Sequence, residues 1–214
     1  MAHYPPRERE KVSTENWVPK TDLGRKVLKG EVASYEDLLK TGKPILETEI
    51  IDVLLPDLTE EVLEIRSTQR MTSYGRKMQM RAVVLSGNKN GIVGVGVGKA
   101  VESRDAIAEA IKDAKKHLVV VPLGSGSWED VGGQHNSLPR EVVGKSGSLR
   151  ITIKPAPRGV GLVAGKVSKK VLEMAGVKDA WTFAQGRTRN VLNAVQATLK
   201  ALDSLNHLKG GAIS

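Results

Sequence analysis

The run Gly91-Ile92-Val93-Gly94-Val95-Gly96-Val97-Gly98-Lys99 has the residue types of a phosphate-cradling loop, in which backbone N–H groups and a closing lysine hold a nucleotide. Its spacing does not fit. A Walker loop needs glycine at position 93 and Ser or Thr after the lysine, and the chain has Val93 and Ala100 there. The dinucleotide spacing G-x-G-x-x-G is also absent, because Gly94, Gly96 and Gly98 recur at every second residue. Period two is the period of a strand, so Val93, Val95 and Val97 share one face and the three glycines the other. Each glycine weakens a strand by about 0.5–1 kcal/mol relative to alanine. Something bulky must therefore approach the bare face: an RNA backbone beside Lys99, or another packed element.

A second group of residues points to phosphate more directly. Arg66, Arg70, Arg76, Lys77 and Arg81 place five cations within 16 residues with no intervening acid, and arginine suits bidentate contact with phosphate. Lys112, Lys115 and Lys116 cluster near the end of an amphipathic stretch. Further on, Gly186-Arg187-Thr188-Arg189-Asn190 precedes an apolar stripe of Leu192, Val195, Leu199 and Leu202. Thr188 can cap that helix, leaving Arg187, Arg189 and free N–H groups as a phosphate site, with an ordinary helix start as the alternative. Arg158, in the turn Pro155-Ala156-Pro157-Arg158-Gly159, joins the candidate RNA-binding set, as do Gly94, Gly96, Gly98 and Lys99.

Composition narrows the chemistry. The 214 residues include no cysteine, and the four histidines (His3, His117, His135, His207) offer no pair at ligand spacing, so neither a metal site nor any other cofactor is expected. No serine sits in a nucleophile elbow, and Glu129, Asp130 and Glu141 lie in a glycine-rich stretch without an evident partner, so no catalytic site is expected. The N-terminus carries no apolar leader and no run of about 18 apolar residues occurs; a cytoplasmic protein with no membrane partner follows as the expectation. Net charge is +9, distributed as −4 over residues 1–62, +6 over 63–127 and +7 over 128–214. A polyanion partner is indicated for the basic two-thirds. With seven aromatics in the chain, stacking on unpaired bases is poorly supplied and shape-based contact with folded or double-stranded RNA fits better.

The elements that must position these residues read as α+β in two domains. Residues 1–60 read as an N-terminal arm that orders on a partner, with one short helix from an Ser34 cap through Lys40. Residues 61–127 read as a strand to Arg70, a basic loop Ser73–Lys77, a hairpin of Met80–Ser86 and Ile92–Gly98 about Gly87–Gly91, and a helix from Ser103 to about Leu118 with Ile107, Ile111, Ala114 and Leu118 on its stripe. Residues 128–147 read as a Gly-rich linker holding one extended stretch. Residues 148–214 read as a strand Leu149–Ile153, a short apolar piece at Leu162–Ala164, and helices over about Lys166–Met174 and Arg189–Leu205.

Two long motifs then carry a resemblance. Gly91-Ile-Val-Gly-Val-Gly-Val-Gly-Lys-Ala-Val-Glu102 lies in the first domain. Pro155-Ala-Pro-Arg-Gly-Val-Gly-Leu-Val-Ala-Gly165, Glu173-Met-Ala-Gly-Val-Lys-Asp179 and the Gly186 helix start lie in the second. In this order they resemble the small-subunit ribosomal protein family called S-five in bacteria and S-two in eukaryotes. Trp17-Val-Pro19, Leu23-Gly-Arg25 and Glu49-Ile-Ile-Asp52 look like its archaeal and eukaryotic branch, and the absence of a long acidic or RGG tail favours an archaeon. The resemblance implies a first domain similar to the double-stranded-RNA-binding fold (three-stranded sheet plus helix) and a second with a β-α-β-α arrangement. It also implies binding to small-subunit rRNA, contact with neighbours of the S-four and S-eight families, a place along the mRNA entry path, and influence on decoding accuracy. Runner-up readings are a free-standing double-stranded-RNA-binding module and a kinase-like enzyme built on the second domain; shared fold alone carries no kinase chemistry.

Overall fold

The computed structural model describes residues 17–32, 34–125 and 135–207; the start of the expected arm and the middle of the expected linker lie outside them. Two four-stranded sheets organise the chain. Strands β1 (Thr59–Thr72), β2 (Gly75–Gly87), β3 (Ile92–Ala100) and β4 (Leu118–Val120) form an antiparallel sheet in the order β1-β2-β3-β4. Strands β5 (Val142–Ser146), β6 (Leu149–Pro155), β7 (Leu162–Val163) and β8 (Ala180–Gln185) form a second sheet in the order β5-β6-β8-β7, with β7 parallel to β8. Helix α4 (Ser103–Lys116) follows β3, while α5 (Lys166–Ala175) and α6 (Val191–Asp203) flank β8.

The first domain is thus the expected sheet plus helix, enlarged by β4. In the second, β7-α5-β8-α6 is the β-α-β-α unit, preceded by the hairpin β5-β6. That hairpin shows where the expected linker becomes extended: Val142–Ser146 is a strand alternating buried and exposed, and its pairing with β6 makes it part of the second domain, which Gly144 and the serines concealed. Gly144 is there for close packing, since a Cβ would stand 2.0 Å from the Ala197 carbonyl oxygen of α6.

The same device governs the glycine face of β3. A Cβ on Gly96 would lie 2.0 Å from the Ala110 oxygen, one on Gly98 2.1 Å from the Ala106 oxygen, and one on Gly94 2.8 Å from the Ala114 oxygen. Helix α4 presses its Ala106, Ala110 and Ala114 side into these glycines and into Ala82 and Val84 of β2. The four-residue alanine spacing, rather than the isoleucine stripe, is the buried face; Ile107 and Ile111 are half-buried at its margin. Gly94, Gly96 and Gly98 are therefore buried packing residues and not an RNA surface.

The opposite face, with Leu85, Val93 and Val95, is covered by the second half of the chain. Leu85 and Val93 share one core with Leu172 and Met174 of α5, Val195 and Leu202 of α6, and Leu149, Ile151 and Ile153 of β6. The two halves are keyed backbone to backbone: the N–H groups of Lys89 and Gly91, in the β2–β3 turn, donate to the Met174 and Ala175 carbonyls at 3.0 and 2.9 Å. Gly176 caps α5 in the left-handed conformation (φ 88°). Any side chain there would strike the Lys89 carbonyl, 2.3 Å from a Cβ. The layers run α4, first sheet, α5 with α6, second sheet.

The expected arm is packed from Trp17 onward, a second correction. Helices α1 (Asp22–Leu28), α2 (Tyr35–Lys40) and α3 (Glu49–Leu54) bury Leu23, Val27, Leu38 and Ile50 against one another and against Trp17. Ser34 caps α2 by accepting from the Glu36 N–H, as its sequence indicated. Tyr35 and Ile51 join Leu58 and Leu118 in a separate cluster, and the Tyr35 hydroxyl donates to the Leu118 carbonyl at 3.0 Å. Burial pushes that phenol up to about 12.

Candidate nucleic-acid interface

The residues expected in a basic loop belong to a long hairpin. β1 and β2 pair down to Thr72 opposite Gly75, leaving only Ser73 and Tyr74 in the turn. Arg76 and Lys77 are therefore strand residues on alternate faces. β3 accompanies β2 only as far as Met80 opposite Ala100. Gly75–Gln79 and their β1 partners therefore project as a two-stranded ribbon of about 17 Å, at roughly 3.3 Å per residue.

A β-bulge sets the ribbon's charge. The register shifts between Val62 and Glu64, so that two residues of β1 oppose one of β2. With the shift, Arg66 stands directly opposite Arg81 and Arg70 directly opposite Lys77; without it Arg66 would face Met80 and Arg70 would face Arg76. Lys99 of β3 lies opposite Arg81 on its other side. Arg66, Arg81 and Lys99 thus form a row across three strands, with Arg70 and Lys77 two repeats further out on the same face, beyond the pair Thr68 and Gln79.

Directly opposed side chains on one sheet face have Cβ atoms about 4.5–5.5 Å apart, and like charges so placed are destabilising. One acid moderates the row: Glu64 lies 2.9 Å from Arg66 and 3.7 Å from Arg81. Sequence reasoning missed Glu64 because it precedes the cation cluster and only the bulge turns it to that face. Arg70, Lys77 and Lys99 are exposed and make no ion pair among the described residues. Arg76 is exposed on the reverse face, opposite Met71 and beside Met78, which are themselves 73% and 55% exposed.

The other candidates divide. Lys115 is only 15% exposed and bridges Asp52 of α3 at 2.7 Å and Glu60 of β1 at 3.5 Å, so it ties the N-terminal helices to α4 instead of facing a ligand. Lys112 and Lys116 are exposed on the same helix. Arg158 is exposed in the loop before β7, whose N–H groups of Gly159 and Gly161 donate to the Asp179 carboxylate at 3.1 and 2.7 Å. Arg187 and Arg189 are exposed before α6, which begins at Val191 with Asn190 as its N-cap and no side-chain cap bond; Thr188 is not the cap. The structure brings Arg66, Arg70, Lys77, Arg81 and Lys99 together and leaves the second-half arginines as separate surface charges.

Comparison with known proteins decides the identity. The family model described as "Ribosomal protein S5, N-terminal domain" matches residues 58–122, and "Ribosomal protein S5, C-terminal domain" matches residues 144–213. The small ribosomal subunit protein uS5 of Methanoregula boonei is 52% identical over 195 residues, covering 91% of this chain and 95% of its own. This chain belongs to the uS5 family. The uS5 of Methanocorpusculum labreanum is 51% identical over 197 residues (92% of this chain, 96% of the relative), and that of Methanococcus maripaludis 49% over 202 (94% and 90%). As a uS5 protein the chain is a structural constituent of the small ribosomal subunit, with rRNA and ribosomal proteins as partners, and not an enzyme. The resemblance read from the glycine-valine run and the second-half motifs, including its archaeal character, is borne out.

Proposed function

We propose that this chain binds small-subunit rRNA through the cationic face of the β1–β2 ribbon, with phosphates held by Arg66, Arg70, Lys77, Arg81 and Lys99. One observation carries the reading: cations stand opposite cations on three neighbouring strands, an arrangement that costs free energy until a polyanion joins it. Folded RNA fits a ribbon of this width better than unpaired bases do, because no strand residue on the cationic face is aromatic. Arg158, Arg187 and Arg189 supply further contacts from the second half, with Lys112 and Lys116 on α4. Contacts with neighbours of the S-four and S-eight families, a position along the mRNA entry path and support of decoding accuracy complete the role.

The test is the salt dependence of affinity for a small-subunit RNA fragment in Arg70→Ala and Lys77→Ala. Each lost phosphate contact reduces the magnitude of the slope of log K against log salt by about 0.9. Stability should change by less than about 0.5 kcal/mol, since both side chains are exposed. Unchanged slopes in both variants would direct the ribbon to protein, and the RNA surface would then be sought on Lys112 and Lys116.

A further inference from the structure

The layered order leaves the outer face of the second sheet without a covering element among the described residues. Helices α5 and α6 cover the inner face, where Gly144, Ile151, Ile153 and Ala180 are buried. The outward positions form rows across three strands. Val143 of β5, Thr152 of β6 and Phe183 of β8 make a central row, with Phe183 61% and Val143 49% exposed. On one side lies the row Lys145, Arg150, Gln185; on the other, Lys154 sits opposite Trp181, itself 39% exposed.

Two of the chain's seven aromatics therefore stand out from one open sheet, two residues apart on one strand, with basic rows to either side. Lys154 already uses the chemistry of the site: its ammonium lies 5.8 Å from the Phe183 ring centroid. Glu141 is paired with Lys154 at 3.5 Å, and no other ion pair among the described residues brings a carboxylate to these rows. A surface of exposed rings between cations has the recognition chemistry of an unpaired nucleic-acid strand, flat bases joined by phosphates.

We propose that this outer face is a platform for single-stranded RNA. One base stacks on Phe183 and the next on Trp181. These positions are about 6.6 Å apart along β8 at roughly 3.3 Å per residue, and Lys145 and Arg150 meet the phosphates. The platform is separate from the ribbon and reads a different form of RNA. The scarcity of aromatics argues against it only when they are counted along the chain; the fold gathers two of them on one face.

The experiment uses the full chain, a labelled oligouridine and an RNA duplex as probes, and the variants Phe183→Ala, Phe183→Tyr and Phe183→Ala/Trp181→Ala. Loss of one stacked base weakens oligouridine binding roughly 5- to 150-fold. Phe183→Ala should show a loss in that range, the double variant a larger one, and Phe183→Tyr near-native affinity, all with unchanged duplex affinity and melting temperature. Arg70→Ala/Lys77→Ala should do the reverse, so failure of the ribbon reading and failure of this one are distinguishable. Equal oligouridine affinity in wild type and the double variant overturns the proposal. So does equal affinity combined with impaired entry of Phe183→Ala into the subunit, which would make the face a protein contact.

Discussion

Replacing Gly96 by alanine tests the packing of the first domain with a single methyl group. The added Cβ would stand 2.0 Å from the Ala110 carbonyl oxygen and 2.2 Å from the Ala114 nitrogen, where ordinary contact begins at 3.4 Å. The clashing atoms are helix backbone, so no side-chain rotation relieves them, and α4 must withdraw by about 1.4 Å, the difference between these distances. A gap of 0.5–1 Å already forfeits about a quarter to a half of each dispersion contact. Withdrawal at that scale loosens Ala106 and Ala110 against Ala82 and Val84 together. Overpacking usually costs about 1–3 kcal/mol; with backbone on both sides a loss of about 3 kcal/mol is expected. For a chain of this size that lowers the melting temperature by about 6–12 °C. Urea and thermal unfolding of the full chain measure it, with Gly165→Ala as control, since nothing lies within 4 Å of a Cβ there. A loss below about 1 kcal/mol, or unchanged stability with impaired RNA binding, would refute the assignment of the glycine face to α4.

Two further predictions follow from the N-terminal helices. Leu23→Ala should destabilise the protein by about 2–3 kcal/mol in urea, because Leu23 is 6% exposed within the α1–α3 cluster; a change under about 0.5 kcal/mol would mean that the segment is not packed. Tyr35→Phe removes a buried hydroxyl that donates to Leu118. Because the folded phenol titrates near 12 against an unfolded value of 10.0, its contribution is fully present below pH 10 and fades as pH rises through 12. The stability gap between wild type and variant should shrink over that window in pH-dependent denaturation, and a gap constant from pH 8 to 12 would contradict the burial of Tyr35.

What the sequence disclosed and what it withheld differ by range of interaction. The β2–β3 hairpin, the Ser34 cap, α4 and the Gly176 stop of α5 rest on neighbours a few residues apart, and their residue types announce them. The alternation of Val93, Val95 and Val97 with glycine was legible as a strand, but which partner lay on each face was not. The alanines that receive the glycines begin eight residues after Gly98, and the core that receives the valines lies up to about a hundred residues further along the chain. The bulge at Val62–Glu64 leaves no composition signal, yet it decides that Arg66 and Arg70 share a face with Arg81 and Lys77. The tight turn is equally silent: Arg76 and Lys77 read as equivalent loop cations, when pairing down to Thr72 and Gly75 puts them on opposite sides of a ribbon. Strand β5 was legible only as an extended stretch of a linker, because Gly144 and Ser146 look like linker residues, and β8 was not legible because Trp181 and Phe183 alternate over only one short stretch.

The seam between the β2–β3 turn and the end of α5 bears on how the chain is made. Lys89 and Gly91 find their acceptors at Met174 and Ala175, 85 and 84 residues later, so the first sheet is synthesised long before the surface that completes it. Until α5 emerges, Leu85, Val93 and Val95 stand open to water on a freshly formed sheet, the kind of apolar exposure that invites association with other nascent chains. Closing a contact over that separation is slow compared with local hairpin or helix formation. The slowest folding step should be the docking of the two halves, and the interval before it is when the newly made protein most needs a chaperone.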